Sequence, residues 1–341
     1  MRAKGTNSPA RQKRPGRGGL AWIVAEMAIG FFLCGAGMAG ADGPEGPPST
    51  RPDLVRIGIA PGTWGGVNRD DAQAAIKAWT KTIMRQRAIP LEVETTLYES
   101  ETEITAALKG AGVDAVSMLS SQFLALEPEL RPGSVFLSSR KGRFTEQYVL
   151  LARRYHDLAQ EAVPQERKLL LQNNVRASLA PAWLDTMLAG GGLESGTAAL
   201  KSMRRVETSS KAVLQVFFRQ ADACVVTANV FEMAGELNPQ ISRELRVLAV
   251  SPEVVPAVFF FRPGCTFRLK DALEAAIVEL HESVAGQQVL TLFQGDGMLK
   301  RPVACLEQTR QLLEDYRRLN PSHGNTREKP ALSESARNEN H

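Results

Sequence analysis

Hydrophobic and polar positions along the chain alternate between two periods. Residues 54–60 (LVRIGIA) read as a short strand closed by Pro61-Gly62, and residues 68–87 place Ala72, Ala75, Ile76, Trp79 and Ile83 on one helical face, with Asn68 and Asp71 as a cap. Residues 91–97 (LEVETTL) alternate as a strand, Ser100 and Glu103 form a capping box for a helix ending near Lys109, and residues 113–119 (VDAVSML) make a third strand. Ser120 and Ser121 then open a short helix carrying Phe123, Leu124 and Leu126. Strands separated by helical crossovers in this way predict an α/β fold with a mostly parallel, doubly wound sheet.

The pattern changes at residues 147–153 (QYVLLAR), a continuous apolar strand expected to make the first crossing into a second lobe. That lobe is predicted to hold a strand at 168–172 (KLLLQ), a helix from Pro181 to Leu188 stopped by Gly190-Gly191-Gly192, a helix from Ser210 through Val213 and Phe217, and a strand at 222–227 (DACVVT). Residues 245–251 (LRVLAVS) and 254–261 (VVPAVFFF) lead back, and helices near 270–284, 286–293 and 302–319 complete the pattern. Cores stop growing at roughly 250–300 residues, so 341 residues also favour two lobes. The expected organisation is 53–148 plus 250–319 for lobe 1 and 149–249 for lobe 2, with a polar, aperiodic, disordered tail at 320–341.

Charge changes the picture only at the N-terminus. The chain has 41 Lys+Arg against 37 Asp+Glu, yet residues 1–41 hold six cations and one acid, so the remainder carries 35 basic and 36 acidic groups. A near-neutral remainder gives no nucleic-acid-binding surface. The cationic start, the apolar run from Leu20 to Cys34 and the small residues to Ala41 have a signal-peptide layout, with Ala39-Gly40-Ala41 as the cleavage site and 42–52 as a spacer. An uncleaved anchor is the competing reading, weakened by Glu26 and the Gly/Ala-rich end. General export to a periplasm is the expectation.

Removing the leader takes Cys34 with it and leaves Cys224, Cys265 and Cys305. Cys224 reads as a core residue, and if any pair bridges it is Cys265 with Cys305. The isolated His156, His281, His323 and His341 have no metal-ligand spacing among themselves or with the cysteines, so neither a metal nor a cofactor is expected.

Four stretches, in order, carry a resemblance: residues 55–61 (VRIGIAP); 104–110 (ITAALKG) followed by 113–116 (VDAV); the second-lobe helix and strand with 222–226 (DACVV); and 245–251 (LRVLAVS) with Pro256 beyond it. Together they resemble the periplasmic phosphate/phosphite/phosphonate substrate-binding proteins of ABC importers, over roughly residues 54–318. The resemblance implies a type II periplasmic-binding-protein fold, two lobes with a ligand cleft between them, and a non-catalytic function: capture of a small anionic solute for a membrane ABC permease, as a monomer.

The implied ligand residues are open to a structural reading in each case. Ser120 and Ser121, after the third strand and at a helix N-terminus, either donate to oxyanion oxygens or act as a plain N-cap. In the second lobe, relatives carry a Ser/Thr/Ser/Gly turn where this chain has residues 173–178 (NNVRAS), so Arg176 either replaces the lost donors or is a solvated surface residue. Ser209 and Ser210 stand where relatives have a Ser-His pair. Thr227 and Asn229 follow the 222–227 strand, Tyr148 marks the first crossing as ligand contact or hinge packing, and Trp64 on its glycine loop lines the cleft or the core. The cationic run Arg140-Lys141-Gly142-Arg143 reads as a solvated loop before an anion clamp. No nucleophile elbow, P-loop or G-x-G-x-x-G motif supports an enzyme. Besides importer delivery, the degraded second-lobe motif leaves open a receptor that docks on a membrane sensor kinase and senses a different ligand.

Overall fold

The computed structural model describes residues 53–63, 69–86, 91–154, 168–190, 203–206, 208–267 and 269–319. The leader, spacer and tail expected from the sequence lie outside these residues, as do Trp64 and Asn68.

The strands sort into two sheets. The first comprises β1 (Asp53–Ile59), β2 (Leu91–Leu97), β3 (Ala115–Leu119), β4 (Ser134–Ser139), β10 (Ala257–Phe261) and β11 (Gly297–Pro302), in the order β11-β4-β10-β3-β1-β2. Strand β1 pairs in parallel with β2 and β3, whereas β10 runs antiparallel to β3 and β4, and β11 antiparallel to β4. The second sheet holds β5 (Tyr148–Arg153), β6 (Leu169–Gln172), β7 (Met203–Val206), β8 (Ala223–Thr227) and β9 (Leu245–Val250), in the order β7-β6-β8-β5-β9. Here β6 is parallel to β7 and β8, and β5 alone is reversed, pairing antiparallel with β8 and β9. The continuous apolar runs predicted as strands are buried on both faces, as helix-covered parallel sheets require.

Helices α1 (Arg69–Gln86), α2 (Glu101–Lys109) and α3 (Ser120–Leu130) are the crossovers of the first sheet. The predicted stripe of α1 is buried at Ala72, Ile76, Trp79 and Ile83. Ser100 caps α2 by accepting from the Glu103 amide at 3.2 Å, but the Glu103 carboxylate accepts from the Glu99 amide instead of closing a box on Ser100. The second sheet is accompanied by α4 (Ala180–Gly190), α5 (Ser209–Phe217), α6 (Ala228–Leu237) and α7 (Pro239–Glu244), and the chain finishes through α8 (Lys270–Val278), α9 (Val284–Leu292) and α10 (Glu307–Leu319). Strands β4, β7 and β11 were not expected from the pattern. The strand expected from residue 254 begins at Ala257, because Pro256 has no amide hydrogen to donate to a ladder.

One core cluster runs from sheet to sheet. Met118, Phe123, Val258 and Phe260 from the first sheet side meet Tyr148, Leu171, Trp183 and Val225 from the second, with Leu312 and Leu313 of α10 completing it. Helix α10 packs on α4, so the end of the chain ties the two halves together.

Among the described residues Cys224, Cys265 and Cys305 are free thiols, so the pairing of Cys265 with Cys305, the one considered if any pair bridged, is not formed. The Cys265 sulfur sits 3.6 Å from the Asp114 carboxylate in the turn after β10, whereas Cys305 belongs to the short 3-10 turn Val303–Leu306 leading into α10. Burial pushes the thiol pKa up at all three, so each is a weak nucleophile at neutral pH. Denatured, unreduced protein lacking residues 1–41 is therefore expected to titrate three thiols with a chromogenic disulfide reagent. The completely buried Cys224 should be silent in the native state, and a denatured count of one would restore the bridge.

Candidate functional site

Two antiparallel segments carry the chain between the sheets, and they are stitched together. The Glu146 amide donates to the Val254 carbonyl at 2.7 Å and the Val254 amide returns the bond to Glu146 at 2.9 Å. One step further, the Tyr148 amide donates to Ser251 Oγ at 2.8 Å and the Ser251 amide to the Tyr148 carbonyl at 2.9 Å. At this crossing the carboxyl ends of β3, β6 and β8 converge, the position where open α/β sheets hold ligands.

Ser120 is the first residue of α3. Its amide donates to the Pro256 carbonyl at 3.0 Å, and the Ser178 hydroxyl, from the second-sheet side, donates to the same oxygen at 3.2 Å. Lobe-1 serine and lobe-2 loop are thus brought together on one carbonyl. The Ser120 side chain has 0% exposure and its Oγ has no hydrogen-bond partner. The N-cap residue is Leu119, whose amide is satisfied by Gln122 Oε1 at 2.9 Å, so Ser120 is not the cap. A buried hydroxyl without a partner costs about 1–3 kcal/mol, and here it stands where the α3 dipole favours negative charge. Ser121 follows it, half-buried.

Tyr148 and Thr227 face each other across the β5–β8 pair, both buried. The Tyr148 hydroxyl donates to the Arg176 carbonyl at 2.9 Å and its ring lies 6.2 Å from that of Trp183. Burial first, and the Glu146 charge second, raise the phenol pKa, so it remains a neutral donor. Thr227 precedes α6 without a side-chain cap bond, and its amide donates to Gln172 Oε1 at 3.2 Å. Asn229 is engaged within α6 by Met233. Ser209 and Ser210 open α5 after β7, at the same end of the sheet but separated from β8 by β6.

Arg176 is buried, not solvated. Its guanidinium pairs with Glu146, donates through Nε to the Gln294 carbonyl at 2.8 Å and reaches Ser138 Oγ at 3.3 Å. The second-sheet loop therefore grips β4 and the α9–β11 turn of the first. Arg140 donates to the same Gln294 oxygen at 2.8 Å, and burial followed by repulsion from Arg176 lowers its pKa. The rest of the cationic run is an exposed loop, as read from the sequence: Arg143 pairs with Glu253 at the surface, and the Lys141 amide donates to Asp296. Glu146, Ser138, Gln294 and Gln172 were not identified from sequence; the lone acid in the polar stretch before Tyr148 was the sole available signal, because partners 30 or more residues apart share no periodicity.

The family model described as "ABC transporter, phosphonate, periplasmic substrate-binding protein" matches residues 67–300. The chain belongs to this family. No curated protein matches it. Among solved structures it is similar to XAC2383 from Xanthomonas citri bound to chloride ion, with a TM-score of 0.52 at 16% identity over 79% of this chain and 99% of that one. It is also similar to a binding protein component of an ABC phosphonate transporter (PA3383) from Pseudomonas aeruginosa, with a TM-score of 0.50 at 15% identity over 82% and 91%. At these identities the likeness supports the two-lobed fold of a periplasmic substrate-binding protein and leaves the solute to the site itself. Membership of the phosphonate-type family implies a small solute and a membrane permease as partners, and transport in place of catalysis.

Removing one member of a buried ion pair leaves the other charge uncompensated, at about 3–5 kcal/mol. Glu146→Ala should lose that much in urea unfolding, and Arg176→Met with Glu146→Leu should recover most of it. A loss below about 1 kcal/mol in the single variant would show that the pair does not hold the sheets together.

Proposed function

We propose that this substrate-binding protein captures a small oxyanion of the phosphonate, phosphite or phosphate class between its lobes and delivers it to an ABC importer. The observation that carries the reading is the Ser120 hydroxyl: completely buried, without a partner, at the N-terminus of an eleven-residue helix. A tetrahedral oxyanion supplies the acceptor that this hydroxyl lacks and gains the partial positive charge of the helix end.

Ser121 is the adjacent donor, and Ser178 approaches from the second lobe through Pro256. In this reading Thr227 and Tyr148 form the floor on the second-sheet side, with Ser209 and Ser210 at its margin. Arg176 serves the oxyanion indirectly. Its charge is already balanced by Glu146, so it holds the lobes in register instead of taking the anion. A charge-balanced arginine beside a neutral tyrosine favours a ligand bound by hydrogen bonds and a helix dipole, which suits a solute that must be released again to the permease. The leader at residues 1–41 belongs to the same reading, since a periplasmic component has to be exported.

Protein lacking residues 1–41 should be stabilised by about 2.7 kcal/mol at methylphosphonate a hundredfold above its Kd, a rise of about 5–10 °C in melting temperature. Ser120→Ala should leave the unliganded melting temperature unchanged or raised, because an orphaned polar group is removed, while reducing the methylphosphonate response. A full response in Ser120→Ala would move the site elsewhere, and silence toward phosphonate, phosphite, phosphate and sulfonate would exclude the oxyanion class. N-terminal sequencing of exported protein is expected to start at Asp42; an N-terminus within residues 1–19 would identify a retained anchor.

A further inference from the structure

Behind the first sheet, on the side away from the crossing segments, a second feature is independent of the interlobe reading. A cavity of about 80 Å³ lies between the sheet and helices α1, α8 and α9. This is several times the roughly 10–15 Å³ that one water needs, and about half the roughly 150 Å³ of an apolar cavity that takes up benzene. Its floor follows one register row across the sheet, Ile59–Ser117–Phe259–Phe136. Three members of that row are large and apolar, and Ser117 is the small one, so the row dips where a branched aliphatic residue would fill it. Ile76, Ile277 and Val289 wall the opposite side from the helices.

Packed interiors do not ordinarily leave space of this kind, and walls this apolar retain water poorly, whereas they accept small hydrocarbons and aromatics. One wall residue departs from the apolar pattern. Trp79 is 4% exposed, lines the cavity, and its Nε1 is buried with no hydrogen-bond partner. An indole N–H is a donor only, and a buried tryptophan usually finds a partner for it. The missing complement is therefore an acceptor atom on an otherwise apolar molecule.

We propose that this cavity is a second binding site, for a small apolar molecule about the size of one aromatic ring that carries a single hydrogen-bond acceptor received by Trp79 Nε1–H. The site is built entirely by the first lobe, so it does not require closure of the lobes on a solute. Two of its wall residues reach the lobe junction: Ser138 Oγ donates to the Phe293 carbonyl at 3.3 Å and also receives Arg176 Nη2.

Anisole and ethylbenzene are nearly isosteric and differ in the ether oxygen, which makes them suitable probes. Titrating each into protein lacking residues 1–41, followed by methyl and indole NMR, should give saturable shifts at the Ile57, Ile76, Ile277 and Val289 methyls with both. The Trp79 indole resonance should move downfield with anisole, and anisole should bind about fivefold tighter, the worth of one hydrogen bond. Trp79→Phe should abolish that preference, and Ser117→Leu should abolish binding of both probes. If Ser117→Leu does not fold, the Trp79→Phe comparison carries the test alone. Absence of saturable shifts in the wild-type protein overturns the site, and equal affinities for the two probes overturn the role of Trp79.

Discussion

The buried pairing of Arg176 with Glu146 is the polar contact on which the register of this protein's two sheets depends, beside the apolar core that they share. Glu146 stands at the first crossing between the sheets, where its backbone is already bonded both ways to Val254 of the return crossing. Arg176 stands on the loop after β6 and adds the Gln294 carbonyl and Ser138 to its contacts. Two charges removed from water are stable only when their remaining hydrogen-bonding capacity is met. Meeting it here requires groups from both sheets, so the pair sets their register as well as their separation.

The architecture around that pair is economical in its chemistry. The ends of β3, β6 and β8 arrive at the same place, and Pro256, unable to donate, offers a carbonyl that collects Ser120 and Ser178. The charge that might otherwise attract an anion is internal to the Arg176–Glu146 pair. For the proposed solute there remain the α3 N-terminus and the unsatisfied Ser120 hydroxyl. In the proposed reading that division separates the groups that join the lobes from the group offered to the ligand, and it needs no excess of positive charge in residues 42–341, which carry 35 basic and 36 acidic groups.

Strands buried on both faces were legible because their apolar runs admit few alternatives, as in 113–119 and 222–227. The strands that escaped notice have mixed patterns. Residues 297–302 (GMLKRP) end in Pro302 and expose Lys300 and Arg301, and residues 203–206 (MRRV) expose both arginines; each forms the edge of its sheet. Such strands are specified by their neighbour more than by their own sequence. Strand β4 is interior, but its serines Ser134, Ser138 and Ser139 interrupt the apolar signal. Among the proposed site residues, the position of Ser120 between a strand and a helix was legible. The burial of Arg176 was not, because its partner lies 30 residues upstream and nothing local marks Glu146 as an ion-pair acid.

The most direct measurement of the central claim is the crystal structure of protein lacking residues 1–41 with methylphosphonate bound. The account predicts a phosphonate oxygen within about 2.7 Å of Ser120 Oγ, facing the first turn of α3, with Arg176 still paired to Glu146. A phosphonate bound directly to the Arg176 guanidinium, with Ser120 Oγ making no contact to it, would contradict the account.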